Sequence, residues 1–250
     1  MHNFIRRTIV AVAVLTAGAG AAQAQISHGR GYLFHEPDVK ITLRGGYSVA
    51  SANSDLFSFA TNELTLSKHD FSGFTGGVEV AIPLSQRFEL SADMSFIHSA
   101  HGSEFRNFVD NHDQPIEQTT QFDRVPLFLN ARYYLSAPGR SVGKLAWIPA
   151  KVAPWIGAGV GTMYYDFRQE GDFVDFTNNN VFNTKLETSS WAPAAQAMAG
   201  AEFSLNPSLG LTSEARYLWA KGPVSREFGT GFDKIDLSGV SATVGLTFRL

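Results

Sequence analysis

The dominant signal along the chain is a two-residue alternation of apolar and polar positions. It is cleanest at the end. Val240, Ala242, Val244, Leu246, Phe248 and Leu250 fall on one face, and Ser241, Thr243, Gly245, Thr247 and Arg249 on the other. A period of two is the signature of a strand with one apolar and one polar side. Strand one sets Val39, Ile41, Leu43 and Tyr47 against Lys40, Thr42, Arg44 and Ser48. Strand two sets Phe74, Val78, Val80 and Ile82 against Thr75, Gly77 and Glu79, and strand three sets Phe88, Leu90, Ala92, Met94 and Phe96 against Glu89, Ser91, Asp93 and Ser95. Strand four has Val125, Leu127, Leu129, Ala131 and Tyr133 outward, with Arg124, Phe128, Asn130 and Arg132 opposite. In strand five, Ala153 to Phe167, Ile156, Ala158 and Val160 are expected outward and Gly157, Gly159 and Gly161 inward, leaving room for larger side chains from other strands. Strand six places Ala195, Ala197, Ala199, Ala201 and Phe203 against Gln196, Gly200 and Glu202, and strand seven places Leu209, Leu211, Ala215, Tyr217 and Trp219 against Thr212, Glu214 and Arg216.

The connections between these eight strands alternate in length. Long polar segments are expected at Ala50 to Asp70, Ser99 to Thr119, Arg168 to Ser190 and Ala220 to Lys234. The third centres on Asn178-Asn-Asn180, and strands five and six are expected to run on as a hairpin toward that tip. Shorter links fall at Pro83 to Gln86, Ser136 to Lys151 and Asn206 to Ser208. An even number of strands with alternating long and short links predicts an all-β, antiparallel, up-and-down transmembrane barrel, with the long loops extracellular. In a bilayer the last strand must pair with the first, because an open edge would strand main-chain polar groups in hydrocarbon. A soluble β-sandwich is the rival fold.

Thr243-Val-Gly-Leu-Thr-Phe-Arg-Leu250 resembles the C-terminal signal of bacterial outer-membrane barrels: polar, any, Gly, any, any, then aromatic or aliphatic residues at Phe248 and Leu250. Val125-Pro-Leu-Phe-Leu-Asn-Ala-Arg-Tyr-Tyr134, Pro154-Trp-Ile-Gly-Ala-Gly-Val-Gly161, Gly200-Ala-Glu-Phe203 and Glu214-Ala-Arg-Tyr217 add to this. Together these stretches resemble the small outer-membrane β-barrel superfamily that holds the OmpA membrane domain, the OmpX-type proteins and the opacity-type proteins. The resemblance implies a monomer in outer-membrane lipid and lipopolysaccharide. It also implies an assembly signal at Thr243, Gly245, Phe248 and Leu250, read by the barrel assembly machinery.

Composition changes the picture at a few points. Met1 to Ala24 reads as a cleaved signal peptide, with Arg6 and Arg7, an apolar run from Ile9 to Ala22, and Ala22-Gln23-Ala24 as the cleavage site. The domain is then 25–250. With no Cys among 250 residues, lipoprotein anchoring, disulfides and thiolate metal sites are excluded. A net charge of −3 argues against a nucleic-acid partner.

The inward faces carry the candidate chemistry. Lys40, Arg44, Arg132 and Arg216 stand against Glu79, Glu89, Asp93, Glu202 and Glu214. Eight strands leave little lumen, so these charges are expected to plug the interior as one layer of ion pairs. The alternative is a narrow channel or a small-molecule binder. Aromatic residues near strand ends read as interfacial girdles where they face outward: Tyr47, Phe74, Phe88, Phe96, Tyr133, Tyr134, Trp155, Tyr164, Tyr165, Trp191, Phe203, Tyr217, Trp219 and Phe248. His98, His101 and His112, near Ser103, Glu104, Asp110 and Asp113, raise a hydrolase or metal reading. His101-Gly-Ser103 faintly resembles the His-x-Ser of lipid A deacylases, but the residues that follow do not match. The cluster reads better as a solvated loop face, so no catalytic residue, metal or cofactor is expected. The expected role is structural, or a surface contact or adhesion with a host or surface ligand, carried by the loops.

Overall fold

A computed structural model describes residues 32–110, 112–143, 146–175, 180–228, 231–232 and 234–250. The proposed signal peptide, His2, His28 and most of the Asn178-Asn-Asn180 tip lie outside them.

The strands are β1 (Lys40–Ala50), β2 (Gly73–Pro83), β3 (Phe88–Val109), β4 (Pro115–Tyr134), β5 (Gly139–Val142), β6 (Ala146–Pro149), β7 (Val152–Asp175), β8 (Asn180–Ser204), β9 (Leu209–Pro223), β10 (Lys234–Asp236) and β11 (Gly239–Arg249). Eight of them form a ring of antiparallel neighbours in the order β1, β2, β3, β4, β7, β8, β9, β11. The ring closes where β11 pairs with β1, with Ile41 opposite Phe248 and Tyr47 opposite Ala242. Leu250 completes the seam: its carbonyl accepts from Asp38 at 2.9 Å and its N–H donates to Val39 at 2.9 Å. Closure removes the edge that an open sheet would leave.

The alternation fixes which way each side chain points. Leu129 and Val160 are each 68% exposed, while Asn130 and Phe128 beside Leu129 are 3% exposed. The phase expected for the strand around Gly157, Gly159 and Gly161 holds: Ile156 and Val160 point out, and Ala153, Trp155 and Met163 point in. Glycine is needed there for space. A Cβ on Gly159 would sit 2.0 Å from the Asn130 side chain.

Length separates the strands into two kinds. A strand needs about 9–11 residues to cross a bilayer core. β1, β2 and β11 have 11 residues each. β3 and β4 have 22 and 20, and β7 and β8 have 24 and 25. These two hairpins therefore stand well above the rest of the ring, at the end opposite the short turns. The segment Ser99 to Thr119, expected as a polar loop, is mostly the extended β3/β4 hairpin. Its inward positions carry Phe105 and Ile116, so polar composition hid a strand period. The β7/β8 pair continues to Asp175 and Asn180, as the flanks of the tip suggested.

The other connections also differ from plain loops. Ala50 to Asp70 holds α1 (Asp55–Glu63) and a 3-10 turn (Lys68–Phe71). Ser136 to Lys151 holds the small β5/β6 hairpin, whose Trp147 pairs with Leu33 across the lower mouth. Within Ala220 to Lys234, β9 runs on to Pro223, and β10 then pairs with its end.

Candidate functional site

The lumen is filled by two layers of opposite chemistry. The lower layer contains every charged residue proposed for it. Lys40 meets Glu89 at 2.8 Å and Glu202 at 3.3 Å, and donates to the Tyr134 hydroxyl at 3.0 Å. Arg44 bridges Glu79 at 3.1 Å and Asp93 at 2.8 Å. Arg132 reaches Glu79, Glu89 at 3.4 Å and Glu214 at 3.0 Å. Arg216 pairs with Glu214 and with Asp93 at 3.4 Å. Asn130 donates to Asp93 at 2.7 Å, and Gln196 donates to Asn130 at 2.7 Å. The side chains of the charged members are nearly sealed from solvent.

Sequence reasoning left one member out of this set. Arg249 points inward and meets Glu202 at 2.6 Å. Adding it balances five cations with five anions. Its signal was present, because Arg249 lies on the polar face of the last strand. The balance matters because a charge left unpaired in such an interior costs several kcal/mol.

Three of the aromatic residues near strand ends point inward, and the girdle reading, kept for outward members, does not apply to them. Tyr134 and Trp155 are 2% and 1% exposed and belong to the lower layer, with the Arg132 guanidinium stacked 4.2 Å from the Trp155 ring. Tyr165 is fully buried in the upper layer. Outward members such as Phe74, Phe96, Trp191 and Trp219 are half or more exposed.

The upper layer is apolar, and part of it comes from the connection expected as a polar loop. Leu56, Phe57 and Ala60 of α1 are buried, as are Leu64, Leu66 and Phe71 after it. Phe57 packs on Phe71, Phe122 and Phe167 with ring centroids 4.5, 5.6 and 5.7 Å away. The helix presents apolar residues at i, i+1 and i+4, one face of a short turn; Ser, Asn and Thr lie on the other. This plug is tied to the wall at several points. Thr65 N–H donates to Glu104 O at 2.8 Å, and Asn53 N–H donates to the Asp236 carboxylate at 3.1 Å.

Of the three clustered histidines, His98 and His101 lie on β3 and His112 at the tip of its hairpin. His98 faces outward and bonds Asp123 at 2.5 Å. His101 faces Asp70 at 3.9 Å. Ser103 is buried and donates to Gln118 O at 3.4 Å, so its hydroxyl is engaged by main chain. Among the described residues no group of three His, Cys, Asp or Glu is placed to hold a metal. At the tip, Asp110 accepts from the Gln114 and His112 N–H groups, and these bonds hold its carboxyl below the ordinary carboxylate range.

Of the assembly-signal residues, Thr243 and Gly245 face inward and Phe248 and Leu250 outward. All four lie at the β11/β1 seam.

The sequence matches no protein-family model and no curated protein. Among solved structures, the chain is similar to small outer-membrane barrels across most of its length. OprG from Pseudomonas aeruginosa is 13% identical, with a TM-score of 0.45 over 87% of this chain and 99% of that one. Neisserial surface protein A is 12% identical, with a TM-score of 0.44 over 88% and 98%. Ail, the attachment invasion locus protein of Yersinia pestis, is 12% identical, with a TM-score of 0.43 over 86% and 99%. The outer-membrane protease OmpT from Escherichia coli is a weaker likeness, at 8% identity and a TM-score of 0.31. The closed barrel rests on the strand pairing described above, and no role passes to this chain from these proteins.

Proposed function

We propose that this chain is a monomeric bacterial outer-membrane barrel that neither conducts nor catalyses, and that works through the parts standing above the bilayer. On this reading the leader is removed after Ala24 during export. The apolar outer face is the argument for lipid. Phe74, Leu43, Leu129, Val160, Ile156 and Val244 are each more than half exposed. In water, each such side chain forgoes about 1.5–3 kcal/mol of burial. A soluble monomer seldom carries an apolar patch larger than a few hundred Å².

Just above the outward aromatics runs a fringe of mixed charge. His98 faces Asp123, and Arg168 meets Asp166 at 2.8 Å and Glu187 at 3.5 Å. Lys185 holds Glu187 at 2.7 Å, and that bond keeps the Glu187 carboxyl below its usual range. Both signs of charge at headgroup height suit contact with lipopolysaccharide. The β3/β4 and β7/β8 hairpins above it would serve surface contact, adhesion or envelope integrity. The C-terminal strand would be read by the assembly machinery through Thr243, Gly245, Phe248 and Leu250. Retained heat-modifiable mobility of a Phe248→Asp variant would remove that part.

One observation carries the non-conducting reading: charge fills the lower lumen and an apolar plug fills the upper. Planar-bilayer recording of the full chain tests it. No steady conductance is expected. Unitary steps that vanish on Arg44→Ala or Glu79→Ala would replace this reading with a narrow channel. A change in lipid A mass spectra on expression would replace it with a lipid-modifying enzyme.

A further inference from the structure

Twelve charged side chains are buried among the described residues, and ten of them form the lower layer. The other two are Arg124 and Asp236, both in the upper half. Asp236 is used: its carboxylate accepts from Asn53 N–H at 3.1 Å and Ser238 N–H at 3.0 Å. Arg124 is largely unused. It is 1% exposed, and among the described residues it has no salt bridge within 4.0 Å; its charged neighbour is Asp236, which lies beyond that distance. Its guanidinium lies 4.6 Å from the Phe122 ring and makes one bond, to Phe71 O at 3.3 Å. Its Nε has no partner. A guanidinium has five donors in a fork that fits a carboxylate or phosphate. Buried among phenylalanines, with one neutral acceptor in contact and the Asp236 carboxylate acting only from a distance, it lacks the direct anionic contact its fork can make.

The group that covers Arg124 is the plug, which belongs to no strand of the ring and is held to the wall by a few local ties, the Leu64–Phe105 bridge and the Thr65–Glu104 and Asn53–Asp236 bonds among them. It leaves the wall at Ala50 and returns at Ser72, where Ala50 N–H donates to Ser72 Oγ at 3.1 Å. Its ends therefore meet on adjacent strands. β1 and β2 pair with each other below it from Lys40 to Ser48 without its help. Its departure would break no barrel pairing.

We propose that the upper lumen is a binding chamber for an amphiphile with one anionic head group, a long-chain carboxylate being the simplest. The head group takes Arg124 in place of the Phe71 carbonyl. The tail takes the apolar space that Leu56, Phe57 and Phe71 occupy, against Phe122, Met163 and Phe167. The plug is the lid that yields. The ligand enters from above and stops there, because the ion-pair layer closes the lumen below.

The test is photo-crosslinking of the full chain in lipid nanodiscs with a diazirine-bearing dodecanoate, the labelled residues being mapped by mass spectrometry. Labelling is expected at lumen-facing Phe122, Met163 and Phe167. Loss of a charged hydrogen-bonding partner should lower it about tenfold or more with Arg124→Met, or with the matching dodecanol probe, while Arg124→Lys retains part of it. The chain has no native cysteine. A Leu64→Cys/Phe105→Cys pair, placed where the plug bridges β3, should abolish luminal labelling when oxidised and restore it when reduced. Labelling confined to outward residues such as Leu129 and Val160 would overturn the proposal. So would luminal labelling indifferent to the charge at Arg124 or to the disulfide.

Discussion

Below the level of Asn130 and Gln196 the barrel is filled by side chains of its own wall, five cations against five anions. Above that level it is filled by a returning segment of chain, and Phe57, Phe71, Phe122 and Phe167 make the contacts. Both halves solve the same problem of excluding water from a narrow tube, but they fail differently. The charged layer is held by mutual compensation, so removing one member harms several others. The apolar layer is held by additive packing, and its single arginine is the exception that contributes least to it.

The sharpest way to break that contrast is to remove one charge from the lower layer. Arg132 faces Glu79, Glu89 and Glu214 together. Arg132→Met leaves the layer one cation short in a place water cannot reach. A destabilisation of about 3–5 kcal/mol is expected. Urea titration of the folded barrel in lipid vesicles measures it. A loss under about 1 kcal/mol would mean that the lower lumen is wet and the pairs are screened.

A cavity in the upper layer comes next. Leu56 is 1% exposed on the buried face of α1. Leu56→Ala should cost about 3 kcal/mol if the plug is packed as tightly as a soluble core. The loss should appear first as faster proteolysis within residues 52–71, with the barrel's heat-modifiable mobility intact. Equal loss of plug and barrel would show that the two are one cooperative unit.

The same contrast explains what was legible in the sequence. The lower layer could be read because each of its charges lies on an alternating strand, and period two says which way Arg44 or Glu214 must point. Arg249 lies on the same polar face of the last strand, so the same alternation directs it inward. The plug could not be read in this way. Its apolar residues, Leu56, Phe57 and Ala60, sit in nine residues of helix among Ser, Thr and Asn, too short for helical periodicity to outweigh a loop-like composition. Nor does alternation reveal what fills a lumen when the filling comes from outside the wall. Tyr134 and Trp155 show a third limit. Nearness to a strand end does not make a girdle residue: the phase of their strands sends them inward to Lys40 and Arg132, and the alternation alone does not say what they meet there.

Removing the upper layer's own cation should give a much smaller change, of the opposite sign. Arg124 is buried with one hydrogen bond, and its charged neighbour Asp236, itself bonded to Asn53 and Ser238 N–H, lies beyond ion-pair distance. Arg124→Met replaces it with an apolar side chain of similar length, so stability should hold or rise by about 1 kcal/mol. The same urea titration reads it. A loss near that of Arg132→Met would show that Arg124 is held by charge compensation after all, and the two layers would no longer differ in kind.

The smallest effect is expected where charge meets water. On the outer face of the β3/β4 hairpin, Glu104 and Glu117 are directly opposite each other, and both are exposed. Like charges in that register repel, and opposite charges attract, by about 0.2–1 kcal/mol. Glu117→Lys should therefore steady the hairpin by about that amount, read as slower amide exchange at Gly102 to Glu104. The gain should shrink in high salt, because exposed charges are screened over about 10 Å at 0.1 M. Identical geometry inside the lumen would be worth several times more and would ignore salt. A salt-independent gain, or one above about 2 kcal/mol, would place this hairpin face in a dry environment such as a bound partner or lipid. The gradient from Arg132 through Arg124 to Glu117 then measures how far water reaches into each region.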